Sequence, residues 1–257
     1  MPRFIVIVLW SLVASSGIAA EPIDKVPFTV EGREAFMIAA SQPAAGQPWV
    51  WYAPTLGANL PGPGHHWYFE RFLQAGISVA GIDLGEVRGA PESTATFDAF
   101  HGEMVRRGYS SKPVLLGQSR GGLMMLSFAM RHPDKLSAFA GIYPVCNLTS
   151  WPLKKSKPAV LADYRLSESE FIDRLGYYNP VDNLARLAAT RVPMFIVHGD
   201  SDVVVPLDEN GGLLQKRYQS LGGPISIKVI PGEGHKVSPS FFECQELVDF
   251  VLINQSK

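Results

Sequence analysis

The chain has 257 residues, of which 46% are hydrophobic and 18% charged, and its formal net charge is −1. This length and apolar content predict a single domain with a large buried core. A near-neutral chain lacks the basic excess that binding to a phosphate backbone requires, so we exclude nucleic acid as a partner.

The N-terminus has the pattern of a secretory signal peptide. Arg3 precedes a short apolar run over 4–14, and small residues follow as far as Ala20, just before Glu21. We therefore predict a signal peptide over 1–20, cleavage after Ala20, a mature domain over 21–257, and a secreted or periplasmic protein. The apolar run is shorter than the roughly 20 residues that span a bilayer, so we expect no stable membrane insertion. A retained N-terminal anchor is the alternative.

From residue 49 onward, short apolar runs alternate with helical patterns. The apolar runs predict strands at 49–53, 77–83, 113–117, 136–143, 192–198 and 225–230. The helical patterns predict helices at 67–74, 97–107, 122–131, 208–221 and 240–253. This alternation predicts an α/β fold with a mostly parallel sheet and helices on both faces. Right-handed crossovers would bring the carboxyl ends of the strands to one edge, where we expect the active site.

The segment over about 146–180 breaks this alternation. It contains Trp151, several tyrosines and the basic cluster 154–157. An insertion of this length between strands is typical of a lid or binding surface, and a solvated excursion is the alternative.

The two cysteines, Cys146 and Cys244, have two interpretations. In an oxidising compartment they are a possible disulfide, but they are equally well explained as two buried thiols. The sequence Asn147-Leu148-Thr149 also matches a glycosylation sequon, which matters only in an organism that glycosylates secreted proteins.

The sequence Gly117-Gln118-Ser119-Arg120-Gly121 lies between a predicted strand and a predicted helix. A serine on such a sharp turn is exposed at the sheet edge, where a substrate carbonyl can reach it. Glycines on both sides of the serine allow the close backbone approach that the turn requires. Ser119 is therefore the predicted nucleophile.

A serine hydroxyl becomes nucleophilic when a base takes its proton and a third group orients that base. The loop from His198 to Asp202 follows one predicted strand, and the loop from Gly232 to His235 follows the last. The order Ser119, Asp202, His235 suits a nucleophile on a strand-to-helix turn. We predict these three as the catalytic residues.

Other acids and histidines are assigned lesser roles. Asp200 is nearer the strand end and is expected to cap its own turn. Asp208 and Glu233 remain minor alternatives for the acid. Among the other histidines, we expect His65 and His66 in a loop and His132 at a helix end. We expect His101 on a helix surface and His198 within the acid loop.

Acyl transfer also needs N–H donors for the developing oxyanion. We expect one from the backbone of Arg120 and the second from Thr55 or Leu56, because Pro54 has no N–H. Three further residues are candidates for substrate binding: Glu86, His66 and Trp151. Glu86 and Arg88 could both contact a polar substrate, but we expect them to form a mutual pair that braces their loop.

Over residues 49–250 the chain resembles α/β-hydrolases. The resemblance rests on the nucleophile turn, the His-Gly-x-x-Asp-x-x-Val-Pro acid loop and the Gly-x-Gly-His base loop. It implies an eight-stranded sheet, a Ser119–His235–Asp202 triad and no cofactor or metal.

The residues after Ser119 resemble two groups within that superfamily. The double glycine is similar to prolyl-oligopeptidase-type serine peptidases, and Ser119-Arg120-x-Gly122 resembles glucuronoyl esterases, in which the arginine side chain helps to hold the oxyanion. The second likeness implies that role for the Arg120 side chain, with a salt bridge or an exposed position at the helix N-terminus as the alternative.

These expectations lead to a secreted serine carboxylic-ester hydrolase. A small-molecule or glycan ester is the expected substrate, because the His-Gly-Gly motif of lipases is absent from the loop after residue 53. A serine peptidase acting on short peptides is the alternative, weakened by the lack of a preceding propeller domain. A non-catalytic binding protein is the third hypothesis.

Overall fold

A computed structural model describes residues 24–255, so the predicted signal peptide lies outside the described residues. Within them, eight strands form one sheet in the order β1-β2-β4-β3-β5-β6-β7-β8. Only β1–β2 and β2–β4 pair antiparallel. The strands are β1 (Val26–Val30), β2 (Arg33–Ile38), β3 (Trp49–Ala53), β4 (Ser78–Ile82), β5 (Val114–Gln118), β6 (Ala138–Ile142), β7 (Met194–Gly199) and β8 (Ile225–Ile230). The predicted mostly parallel sheet is confirmed.

Helices cover both faces of this sheet. They are α1 (His66–Gln74), α2 (Pro91–Arg106), α3 (Arg120–Arg131), α4 (Trp151–Tyr164), α5 (Glu168–Tyr178), α6 (Ala185–Ala189), α7 (Gly211–Ser220), α8 (Pro239–Phe242) and α9 (Gln245–Asn254). Apolar side chains of α2, α3 and α7 pack in the core on one face, and those of α1, α8 and α9 pack in the core on the other. Among the helices in residues 24–255, none is long and apolar enough to cross a membrane.

The sequence patterns missed the hairpin formed by β1 and β2. Its two-residue turn, Glu31-Gly32, has φ of 50° and 75°, as a tight turn between antiparallel strands requires. Much of β1 is exposed or half-buried, so it lacks the continuous apolar run that marks the parallel strands. The helix predicted over 240–253 is also wrong in extent, because Glu243 and Cys244 separate α8 from α9.

The possible disulfide between Cys146 and Cys244 is wrong. Both residues are buried free thiols. Cys146 packs in the core on the α3 face of the sheet, whereas Cys244 packs in the core on the α9 face. The sheet therefore separates two residues whose Cα atoms a disulfide would need within about 7 Å.

The start of α3 packs directly on the end of β3. A Cβ atom built on Gly121 would lie 2.1 Å from the carbonyl oxygen of Ala53. Only glycine permits this approach, and it places the loop after β3 beside the turn that carries Ser119.

We expect Gly121→Ala to lower the free energy of unfolding by about 1–3 kcal/mol, because a methyl group there must displace backbone. The matched control is Gly102→Ala in α2, where an added Cβ meets nothing within 4 Å. That change should raise stability by about 0.5–1 kcal/mol. Chemical denaturation measures both, and equal effects would contradict the packing argument.

Candidate active site

Ser119 is held in a strained backbone conformation between β5 and α3. Its φ is 48° and its ψ is −121°, in the region that non-glycine residues rarely adopt. Its N–H donates to the carbonyl of Ile142 at 3.0 Å, and its carbonyl accepts from the N–H groups of Gly122 (2.9 Å) and Val145 (2.8 Å). Such strain persists only where the surroundings impose it, and it clusters at functional sites.

The structure brings the three predicted catalytic side chains into one hydrogen-bonded line. Ser119 Oγ lies 2.9 Å from His235 Nε2, and His235 Nδ1 lies 2.7 Å from Asp202 Oδ2. The Asp202 side chain is fully buried, while 17% of the His235 side chain is exposed. A carboxylate can only accept, so Nδ1 carries the proton and Nε2 is left to accept the serine proton.

Asp202 is buried but well satisfied as an anion. Its Oδ1 accepts the N–H groups of Val204 (2.9 Å) and Val205 (2.8 Å), and His198 Nε2 lies 3.5 Å from its Oδ2. Burial alone raises the pKa of Asp202, but the bonds from His198, His235 and Val205 outweigh it and hold that pKa well below its usual range. The carboxylate therefore stays ionised in neutral solution.

The other acids near this loop have different partners. Asp200 accepts the N–H of Gly232 at 2.7 Å and so ties the acid loop to the loop that carries His235. Glu233 pairs with Lys236 at 2.9 Å, and Asp208 lies in the short 3-10 turn that follows the acid loop. Asp202 is the acid that contacts the His235 ring.

The predicted oxyanion donors lie at the same edge of the sheet. Arg120 is the first residue of α3, so its N–H has no partner within the helix. Thr55 and Leu56 follow β3, which pairs in parallel with β5 and ends beside the serine turn. Thr55 is buried and Leu56 is half-buried.

Two predicted binding residues, Glu86 and Trp151, converge on the Arg120 side chain. The Arg120 guanidinium bonds Glu86 at 2.7 Å, and its carbon lies 5.3 Å from the centre of the Trp151 ring. The expected pair between Glu86 and Arg88 is wrong, because the Arg88 guanidinium pairs instead with Asp163 of α4 at 2.5 Å.

His66, a predicted substrate-binding residue, begins α1 and lines a small depression with Lys25 and Pro61. None of the three predicted catalytic residues lines that depression. The preceding residue His65, expected on a loop surface, is only 2% exposed. His101 is also buried, and it bonds the carbonyl of Ser111 at 2.7 Å, so its expected place on a helix surface is wrong.

A buried polar network behind the serine turn was missed by sequence reasoning. The Nε2 atom of His65 lies 2.7 Å from Gln118 Oε1 and 2.8 Å from the Tyr52 hydroxyl, which donates to the same Oε1 at 2.8 Å. Gln118 Nε2 in turn donates to the Tyr143 hydroxyl at 3.2 Å. The only available signal was Gln118 itself, the polar residue inside the nucleophile turn.

The insertion over 146–180 is anchored at both ends by asparagines. Asn147 Oδ1 accepts from the Asn179 amide at 3.0 Å, and the Asn210 amide donates to Ser150 Oγ at 2.9 Å. The amide nitrogen of Asn147 donates to the Glu209 carbonyl at 3.2 Å and is buried. The sequon at Asn147 is thus occupied by internal hydrogen bonds.

The two helices of the insertion form a small core of their own. Side chains of α4 and α5 pack with the loop after β6, the acid loop and α3: Val160, Tyr164, Phe171 and Tyr178 against Val145, Leu148, Val205 and Leu123. The insertion therefore lies over the same loops that carry the candidate site.

Comparison with known proteins gives matches at the level of family and fold. The model of the prolyl oligopeptidase family matches residues 99–251. Acylamino-acid-releasing enzyme 2 from Oryza sativa subsp. japonica is 27% identical over 137 residues, which are 50% of this chain but only 18% of that protein. The chain thus matches less than a fifth of this curated relative.

Among solved structures, an S-formylglutathione hydrolase from Agrobacterium tumefaciens is similar with a TM-score of 0.69 and 15% identity, over 90% of this chain and 95% of that one. A puromycin hydrolase is similar with a TM-score of 0.64 and 20% identity, over 89% and 37%. These similarities confirm the α/β-hydrolase fold.

We expect Asp202→Asn to reduce kcat by roughly 10³–10⁴-fold, because the amide favours the wrong histidine tautomer. Its effect on stability should depend on pH. A carboxylate whose pKa is lowered by folding contributes stability above the unfolded value of about 3.9, and this contribution is lost as the pH falls below it. In thermal unfolding, the difference in melting temperature between wild type and Asp202→Asn should be largest above pH 5 and should narrow towards pH 3. Asp173→Asn, exposed on α5, controls for the loss of one charge, and a gap that stays constant with pH would contradict the assignment.

Proposed function

This chain belongs to the prolyl oligopeptidase family and is a serine hydrolase, and from that premise we propose that it hydrolyses carboxylic esters through an acyl-enzyme. The observation that carries the proposal is the line from Ser119 Oγ through the His235 ring to the buried Asp202 carboxylate. The strained serine turn supports it, since it presents the hydroxyl at the edge of the sheet.

In the proposed reaction, Ser119 Oγ attacks the ester carbonyl carbon while His235 Nε2 takes the hydroxyl proton. The negative charge on the carbonyl oxygen is held by the N–H of Arg120 and that of Thr55 or Leu56. His235 then gives its proton to the departing alcohol, and the C–O bond breaks to leave an acyl-serine. Water, deprotonated by the same Nε2, attacks the acyl carbon, and the returning proton releases Ser119 and the acid.

We further propose that the alcohol part is polar, with an esterified carbohydrate as the candidate. A sugar offers C–H groups that pack on an aromatic face and hydroxyls that bond charged groups. The half-buried Trp151 and the Arg120–Glu86 ion pair supply both features near Ser119. The export expected from residues 1–20 would bring the enzyme to such substrates.

A peptidase is the second candidate function. The family match and the similarity to an acylamino-acid-releasing enzyme favour it. Amide and ester hydrolysis use the same acyl-enzyme, so the two functions differ in how well the site protonates and accommodates an amine leaving group.

A pair of substrates with one acyl group separates the two functions. We expect the p-nitrophenyl ester of N-acetylalanine to be turned over with a kcat/KM at least about 10³-fold above that of the matching p-nitroanilide, because the site is proposed for ester cleavage. Equal kcat values for ester and anilide would instead indicate a peptidase limited by deacylation.

The control for that comparison is Ser119→Ala, which should lower both rates by roughly 10³-fold or more. Turnover equal to wild type in this variant would overturn the assignment of the nucleophile.

For the carbohydrate proposal, we expect Trp151→Ala to raise KM for an acetylated xylose or glucose about 5–10-fold, because a stacking face is lost. KM for p-nitrophenyl acetate should change by less than about twofold, since that ester has no sugar to stack. The matched control is Trp67→Ala, a half-buried tryptophan on α1 that also carries an arginine, Arg71, on its face. Parallel changes for both substrates would argue against sugar recognition at Trp151.

A further inference from the structure

Tyr143 occupies an unusual position for a large side chain. It follows β6 directly, has a φ of 35° and is only 2% exposed. Its N–H donates to the carbonyl of Val197 at 2.8 Å, so the strained residue is tied to the neighbouring strand β7. Positive φ at a bulky residue persists where surrounding contacts enforce it, and here those contacts aim the ring at the base.

The ring of Tyr143 lies against the ring of His235. The two centroids are 4.4 Å apart and the planes are inclined by 55°. Both ring nitrogens of His235 already have hydrogen-bond partners, because Nε2 faces Ser119 and Nδ1 faces Asp202. Tyr143 therefore contacts the imidazole through its ring system rather than through a proton-transfer position.

The network behind the serine turn holds Tyr143 in place. Gln118 Nε2 donates to the Tyr143 hydroxyl, and Gln118 Oε1 is itself fixed by Tyr52 and His65. Burial raises the pKa of Tyr143 well above its usual range, although the bond from Gln118 opposes the rise. The phenol is therefore neutral, and its ring keeps the electron-rich face of an uncharged aromatic.

An imidazolium ion forms at His235 each time it accepts the serine proton, and a cation beside an aromatic ring is attracted to its face. We propose that Tyr143 is a positioning residue whose ring stabilises the protonated form of His235. The proposal rests on the proposed function for the role of His235 as base. It also gives a role to the three buried polar residues, Gln118, Tyr52 and His65, that hold the Tyr143 hydroxyl in place.

Several other charged or titratable groups surround His235 and must stay constant in any test. They are Asp202 and, beyond it, His198 on the β7 side, the Arg120–Glu86 pair on the α3 side, and the Glu233–Lys236 pair on its own loop. None of them is altered by a change confined to the ring at position 143.

The test replaces Tyr143 by phenylalanine and, separately, by pentafluorophenylalanine. The two side chains have nearly the same shape, but fluorination reverses the charge distribution of the ring face. Relative to the phenylalanine variant, we expect pentafluorophenylalanine to lower kcat about 5–20-fold, with KM for p-nitrophenyl acetate within about twofold. The pH at which kcat/KM falls to half on the acid side should move down by about 0.5–1 unit, because the protonated ring loses its attraction.

Two further variants distinguish this effect from a loss of packing. Tyr143→Leu should shift the midpoint in the same direction, whereas Phe241→Leu should leave it unchanged. Phe241 packs edge-on against Tyr143 at 5.1 Å in the same aromatic cluster. Equal midpoints for phenylalanine and pentafluorophenylalanine would overturn the proposal, as would an equal shift in Phe241→Leu.

The titration of the His235 ring is also read by NMR in protein labelled at histidine, which needs no turnover. A midpoint shift in the NMR titration of an inactive protein would leave the Tyr143 proposal standing while the proposed ester hydrolysis fails. Normal turnover with no midpoint shift in either the kinetic or the NMR titration would overturn the Tyr143 proposal and leave the proposed ester hydrolysis standing.

Discussion

One backbone constraint, the turn at Ser119, determines how the rest of the site can be built. The chain passes from strand to helix through a single residue at φ 48°, and three backbone hydrogen bonds to the β6 side and to α3 hold it there. That geometry forces the helix against the end of β3, which excludes a side chain at Gly121. It also places the N–H of Arg120, a proposed oxyanion donor, at the free N-terminal end of α3. The flanking glycines, the proposed nucleophile and this proposed donor thus all depend on one turn.

The site also requires a buried carboxylate whose loss of hydration is offset by hydrogen bonds. Asp202 loses its contact with water but gains two backbone N–H groups and two imidazoles in return. The neighbouring carboxylate, Asp200, instead fixes the distance between the acid loop and the base loop. Asp202 therefore contacts the ring of His235, whereas Asp200, two residues earlier, holds the backbone of the loop that carries His235.

Local signals explain what could be predicted. Ser119, Asp202 and His235 each follow an apolar strand, and parallel strands bring their carboxyl ends together whatever the details of packing. The missing information concerned which way a side chain points. His65 and His66 are adjacent in sequence, yet one is buried behind the serine turn and the other is not. Cys146 and Cys244 likewise gave no indication that a sheet lies between them.

The sequence also could not show which charged or polar side chains pair with one another. Glu86 has Arg88 two residues away, but the fold offers it Arg120 from another element and gives Arg88 to α4. Tyr143 ends an apolar strand pattern, so its polar contact with Gln118 and its tilted ring contact with His235 have no sequence signature. Such pairings depend on distances across the sheet, which no single segment encodes.

The asparagines at the two ends of the insertion have a consequence for how this part of the chain can vary. Asn147 and Asn179 are joined to each other, and Asn210, just before α7, is joined to Ser150. The α4–α5 pair therefore leaves the sheet and returns to it at nearly one point. Because a segment with its ends held together can change in length at little entropic cost, α4 and α5 can be shortened or replaced while the flanking strands keep their places.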